Sequence, residues 1–184
     1  KYLKYLNYGQ LIGIKYFHDI KKRIPRQEIT KIKELVEKLL KLMNNKIIME
    51  VCGSYRRGCK NSGDIDILIS YPDYKTSSDT FNQNKNILTI LICHLQTINF
   101  LKDHLTIDGK TKYMGICKIK DIYRRIDIRF IPYDSFPCAL LYFTGSANLN
   151  KEMRQKAQIK NYKLSEYSLS KMEFNKKTNK LEEY

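Results

Sequence analysis

Apolar positions recur at helical spacing from Pro25 onward, with Ile29, Ile32, Leu35, Val36, Leu39, Leu40 and Met43 on one face of a 3.6-residue period. Pro25 is expected in the first helical turn, where the N–H that proline lacks would have no acceptor. KIIMEV at 46–51 reads as a strand ending at Gly53–Ser54. DIDILIS at 64–70 alternates strictly, and the basic segment YRRGCKNSG lies between the two runs. The unit predicts strand, glycine turn, short helix, strand. Residues 71–86 are polar and loop-like, and 87–100 carry an amphipathic helical pattern. YMGICKIK at 113–120 and YRRIDIRFI at 123–131 predict a strand pair.

The ends are less regular. KYLKYLNYGQLIGIKYFHDIKKRI mixes Tyr, Lys and apolar residues without a clean period and reads as a piece of helix entered midway. After Pro132 the pattern becomes FPCALLYFTGS, then a Lys-rich helix from Asn150 to Lys160, then KLSEYSL, read as a strand. The tail from Lys171 is polar. The expected fold is therefore α/β (α+β): a mixed or antiparallel sheet, helices on one face, and a small α/β subdomain after about residue 133.

Composition narrows the class of partner. The chain has 184 residues, enough for a real core, with 34 Lys and Arg against 19 acidic residues and a formal charge of +15. Such a surface suits a polyanion, since each neutralised phosphate releases counterions, although a solvated Lys-rich surface gives the same count. The five cysteines show no CxxC spacing and no neighbouring His that would complete a zinc site. With no apolar run able to span a bilayer and no signal peptide, a soluble, intracellular, monomeric protein is expected.

The chemistry concentrates on three aspartates. Residues two apart on a strand share a face, so Asp64 and Asp66 point together while Ile65, Ile67 and Ile69 point into the core. On the second strand Ile126, Ile128 and Phe130 form the apolar face and leave Arg125, Asp127 and Arg129 on the other. If the strands are neighbours, Asp127 joins the pair. Clustered carboxylates repel unless cations sit among them, and oxygen-only ligands suit Mg2+ or Mn2+. A site of that kind supports in-line phosphoryl transfer. The competing reading is of strand-edge aspartates paired with Arg124, Arg125 and Arg129. Gly53–Ser54, a glycine turn opening a helix, would offer backbone N–H groups to a phosphate, and Arg57 could add charge-assisted contacts. Ser54 is otherwise a helix N-cap.

GSYRRGCKNSGDIDILI at 53–69 closely resembles the nucleotidyltransferase signature of the family X DNA polymerases, in the form seen in polymerases beta and lambda. RRIDIRFIP at 124–132 resembles the segment bearing that family's third catalytic aspartate, LYFTGSANLNKEMRQKA at 141–157 its nucleotide-binding segment, and KYFHDIKKRIPRQEI at 15–29 the approach to its palm. The resemblance implies a DNA-directed DNA polymerase of the gap-filling repair type, acting on primer-template DNA and dNTPs with two Mg2+ ions, for which Mn2+ substitutes. It implies a remnant of a DNA-gripping helical subdomain over 1–22, a catalytic palm over 23–132 and a nucleotide-binding subdomain over 133–184. By the family pattern Asp64 and Asp66 bind both metals, and Asp127 binds the catalytic one and takes the primer hydroxyl's proton. Arg125 stands beside Asp127 and the primer end. Arg23, Ser54, Arg57 and Gly63 contact the triphosphate. Tyr142, Phe143 and Gly145 pack on the deoxyribose, and Asn150 reaches the nascent pair. Arg125, Arg129, Lys151, Arg154 and Tyr167 are assigned to DNA.

Departures from the family pattern matter too. Ala147 replaces an acidic residue near the incoming base, as in the lambda-like form, which makes that contact apolar. No counterpart of the family's amino-terminal lyase domain or its helix-hairpin-helix lies in the sequence, so lyase activity is not expected, and the nucleotide-binding subdomain reads as shortened. Template-independent transfer is the alternative within catalysis. Against it, Tyr142–Phe143 stands where that branch has Gly-Trp, and the chain has no Trp. A further alternative is a piece that binds nucleotide or DNA without efficient catalysis. Nuclear and viral or cytoplasmic settings are equally compatible with the sequence.

Overall fold

The computed structural model describes residues 3–81, 86–106, 109–175, 178 and 180–183. A 3-10 turn at Leu3–Tyr5 precedes α1 (Tyr8–Lys15), α2 (Phe17–Ile20), β1 (Ile24–Pro25), α3 (Arg26–Met43), β2 (Ile48–Val51), α4 (Gly53–Arg56), β3 (Asn61–Ser62) and β4 (Ile65–Ser70). Then follow α5 (Ser77–Phe81), α6 (Ile87–Thr97), β5 (Leu101–His104), β6 (Lys112–Ile119), β7 (Ile122–Phe130), α7 (Phe136–Thr144), α8 (Ala147–Ile159), β8 (Tyr162–Leu164), β9 (Leu169–Asn175) and β10 (Lys180–Glu183).

Five strands form the main sheet in the order β2-β4-β7-β6-β5. Only β4 and β7 run parallel; the other pairs are antiparallel, so the sheet is mixed. One face is closed by α3 and α6. Ile29, Ile32, Val36 and Leu40 from α3 and Leu88, Leu91 and Leu95 from α6 bury against Ile65, Ile67, Ile69, Ile126, Ile128 and Phe130. Each such side chain contributes about 1.5–3 kcal/mol when fully withdrawn from water.

The opposite face is not bare, contrary to the expectation of helices on one side only. Leu68 meets Ile131, Cys52 and Ala139 of α7 at one end. Ile12 and Tyr16 of α1 and its cap meet Ile116 at the other. Helices thus bracket this face, and Asp66 and Asp127 project between them. The amino-terminal segment is two short helices rather than one, anchored where Lys15 and the Tyr16 hydroxyl both donate to Asp103.

Local boundaries moved in physical ways. Pro25 is the residue before α3, paired antiparallel with Asn61 in a two-stranded ribbon, so its fixed φ serves the entry rather than the first turn. Helix α8 starts three residues earlier than expected because the Ser146 side chain caps Leu149 N–H. KLSEYSL is not one strand. Ser165 accepts from the backbone of Tyr167 and Ser168, turning the chain so that β8 and β9 form a hairpin. The polar tail expected from Lys171 is largely strand, since β9 pairs with β10 as well. Of the expected 71–86 loop, 77–81 form α5, and 82–85 lie outside the described residues.

Candidate active site

Strand alternation places the carboxylates. In the parallel pair β4–β7 the register partners are Asp66 and Asp127, which share a face of the sheet and sit side by side. Asp64 lies one residue ahead of β4. The two neighbours are unlike in environment. Burial, with Asp64 and Asp127 adding to it, pushes the Asp66 carboxyl up to about 7. Burial also raises Asp127, but Arg125 opposes it: Arg125 Nη2 lies 2.7 Å from Asp127 Oδ2.

Both members of that ion pair remain incompletely satisfied. Asp127 Oδ1 and Arg125 Nε are buried with no hydrogen-bond partner among the described residues. The expected three-carboxylate cluster is not drawn together as a preformed set of ligands, for no group of three His, Cys, Asp or Glu among the described residues is close enough to hold an ion. An orphaned buried carboxylate oxygen beside a second carboxyl is nevertheless an oxygen donor set with capacity to spare, and hard divalent cations fit it.

Gly53 makes the close approach possible. Its φ is +56°, and a Cβ there would lie 2.5 Å from Asp66 Oδ2, so a side chain is refused by both backbone and neighbour. Helix α4 then starts at the rim, its first N–H groups unused by the helix itself. Ser54 lies in this turn and makes no side-chain cap.

A cleft of about 730 Å3 opens over this end of the sheet. Arg23, Gly53, Ser54, Arg57, Gly63, Asp64 and Asp66 line one wall. Tyr142, Phe143, Gly145, Asn150, Lys151 and Arg154 line the other. Asp127 and Arg125 stand beside Asp66 on the sheet but do not line the cleft, and neither Arg129 nor Tyr167 does. The Arg129 guanidinium packs 5.0 Å from the Phe143 ring centre and favours ionisation of Asp66. Tyr167 is an exposed residue of the β8–β9 turn.

The walls are tied across their junction. Arg57 Nη1 donates to the Thr144 carbonyl at 2.6 Å, and Arg56 Nη1 to its hydroxyl at 3.0 Å. Gly145, at φ +69°, lets Arg57 approach: a Cβ there would meet its guanidinium at 3.2 Å. Asn150 Nδ2 donates to the Tyr142 carbonyl at 2.6 Å, coupling α8 to the end of α7, and the Tyr142 and Phe143 rings meet edge to face. Thr144, Gln155 and Gln158 also line the cleft and escaped the sequence reading. Gln155 and Gln158 fall four residues after Lys151 and Arg154, a spacing visible once α8 is known to be helical. Of the three arginines set against the aspartates, only Arg125 forms an ion pair with one; Arg124 pairs with Glu28 instead.

Comparison with known families matches this architecture in two parts. Residues 23–133 match the family described as DNA polymerase beta palm, and residues 139–183 that described as DNA polymerase beta thumb. The chain belongs to the family X DNA polymerases. It is 38% identical over 168 residues to DNA polymerase lambda of Rattus norvegicus and 33% identical over 175 residues to DNA polymerase lambda of Arabidopsis thaliana, the alignments taking in 88% and 89% of this chain. A DNA nucleotidylexotransferase of Xenopus laevis is 24% identical over 181 residues, 80% of this chain. These alignments span 28%, 32% and 35% of the relatives' own lengths, so the chain corresponds to about a third of each. Among the described residues no helix is long and apolar enough to cross a membrane.

Proposed function

We propose that this chain is the catalytic core of a template-directed DNA polymerase that adds a deoxynucleotide to a primer 3′-hydroxyl at short gaps. The observation that carries the reading is the register of Asp66 with Asp127 next to a cleft whose walls hold Arg23 and Arg57. Two Mg2+ ions, for which Mn2+ can stand in, would be held by Asp64, Asp66 and Asp127 and would supply Lewis-acid activation of the hydroxyl and charge neutralisation at the phosphates.

The chain's own groups do the remainder. Asp127, its carboxyl raised by burial and steadied by Arg125, accepts the proton of the primer hydroxyl. Arg23, Ser54, Arg57 and the backbone at Gly63 grip the triphosphate along one wall. Tyr142, Phe143 and Gly145 close against the deoxyribose, leaving no room for a 2′-hydroxyl. Asn150, Lys151 and Arg154 on α8 meet the nascent pair and template, and Arg129 and Tyr167 contact DNA farther out. The palm over 23–132 and the nucleotide-binding subdomain over 133–184 are the working halves, with residues 1–22 belonging to a DNA-holding helical part. The +15 charge supports DNA as partner.

The test is extension of a primer across a one-nucleotide gap with each dNTP in turn. Selective addition of the complementary nucleotide is expected. Addition without regard to template would favour the nucleotidylexotransferase-like alternative, and dNTP binding without any extension would reduce the chain to a binding-competent core.

A further inference from the structure

The segment that delivers Arg23 to the cleft is held from behind by a residue that never reaches the cleft. Arg124 lies on β7 three residues before Asp127, so alternation sends its side chain to the other side of the sheet. There it is 3% exposed. Its guanidinium grips Glu28, in the first turn of α3, with two prongs, Nε to Oε1 at 2.8 Å and Nη2 to Oε2 at 3.3 Å. The remaining Nη1 donates to the backbone carbonyl of Lys22 at 3.2 Å.

Lys22 is the residue bonded to Arg23, and the chain after it is fixed again at once. Ile24 and Pro25 pair with Ser62 and Asn61, and Arg26 Nη1 donates to the Tyr55 carbonyl at 2.6 Å. Arg23 itself is oriented by Asn61, with Nε 3.0 Å from its side-chain oxygen and Nη2 3.3 Å from its carbonyl. Its Nη1 is directed to the glycine at 63, where a Cβ would lie 3.3 Å away. Stability alone is a weak reason for a buried ion pair here, since apolar side chains of similar volume stabilise a core about as well. An apolar side chain cannot donate to the Lys22 carbonyl.

We propose that Arg124 is a positioning residue: together with Glu28 it fixes the Lys22 carbonyl and so sets the Arg23 guanidinium for the phosphates of a nucleoside triphosphate. This rests on the polymerase reading of the cleft. One strand, β7, thereby serves both halves of the reaction, presenting Asp127 on one face and anchoring the phosphate-gripping arginine through the other.

The test is calorimetric titration of a dNTP with Mg2+ into the wild-type chain, Arg23→Ala, Glu28→Gln, the double variant Arg124→Met/Glu28→Met, and that double variant combined with Arg23→Ala. Thermal melts monitor folding. The double variant is expected to bind about tenfold more weakly, the factor of one charge-assisted hydrogen bond, and adding Arg23→Ala should cost nothing further. Glu28→Gln keeps an acceptor for Arg124 and should show a smaller loss in the same direction; it decides the matter if the double variant does not fold. Wild-type affinity in a folded double variant, or in Glu28→Gln where only that variant folds, would overturn the proposal. So would an Arg23→Ala effect of full size in the double-variant background. Failure of the wild-type chain to bind any dNTP would instead overturn the polymerase reading, and the proposal with it.

Discussion

Arg125 and Asp127 lie two residues apart on one strand and one face, with Nη2 2.7 Å from Oδ2. The pair settles a contest between burial, which raises the Asp127 carboxyl, and the guanidinium, which lowers it. Removing the guanidinium leaves burial and Asp64 opposed only by the weaker pull of Lys112. In the metal-free Arg125→Gln chain the carboxyl must therefore rise further, and Mg2+ binding, which needs the carboxylate, should fade at a higher pH than in wild type. Calorimetric Mg2+ titration at stepped pH checks this; an unshifted profile would show that Arg125 does not set the Asp127 ionisation.

Asp66 makes a prediction about the chain without metal. Its carboxyl is raised from 3.8 to about 7 in the folded state, so between those values the folded chain binds more protons than the unfolded one and stability falls as pH rises. Acidification from pH 8 toward pH 5 in chelator should raise the melting temperature, with about 2.5 kcal/mol from this group. Asp66→Asn should remove the larger part of that dependence, leaving the share that the raised Asp127 carboxyl contributes, and be more stable than wild type at pH 8, while losing extension. Added Mg2+ should flatten the wild-type profile and act more weakly on the variant, which keeps only Asp64 and Asp127 as ligands. Melting curves at stepped pH read all three.

The aspartate motif was legible because a strand has period two. Ile65, Ile67 and Ile69 against Asp64 and Asp66, and Ile126, Ile128 and Phe130 against Arg125, Asp127 and Arg129, declare their faces without neighbours. Which strands pair, and in what direction, is a long-range matter, and the parallel register that joins Asp66 to Asp127 had to be seen. The pairing of Arg124 with Glu28 spans 96 residues and has no local signature. Strand β9 was missed for a related reason: LSKMEFN lacks a consistent apolar face, and backbone pairing on both sides holds it. The second helical face was hidden because α1 and α7 bury only a few residues each and show no clean amphipathic period.

Gly53 is required on two grounds that can be separated. Gly53→Ala should lose about 2 kcal/mol or more, from the left-handed φ and from contact with Asp66 Oδ2. In an Asp66→Ala background the contact vanishes and only the φ cost remains, so the same substitution should cost about 1 kcal/mol there. Equal costs in the two backgrounds, measured by denaturant unfolding, would show that Gly53 and Asp66 do not crowd one another.

In the proposed reaction Asp127, beside Asp66, takes part in the chemical step. Its most direct test is the single-turnover rate of filling a one-nucleotide gap at saturating dNTP and Mg2+, wild type against Asp127→Ala. Asp127→Ala should slow the step by about a thousandfold or more with dNTP binding largely retained, the scale set by losing an essential proton acceptor and a share of the charge stabilisation. Extension by Asp127→Ala at the wild-type rate would contradict it.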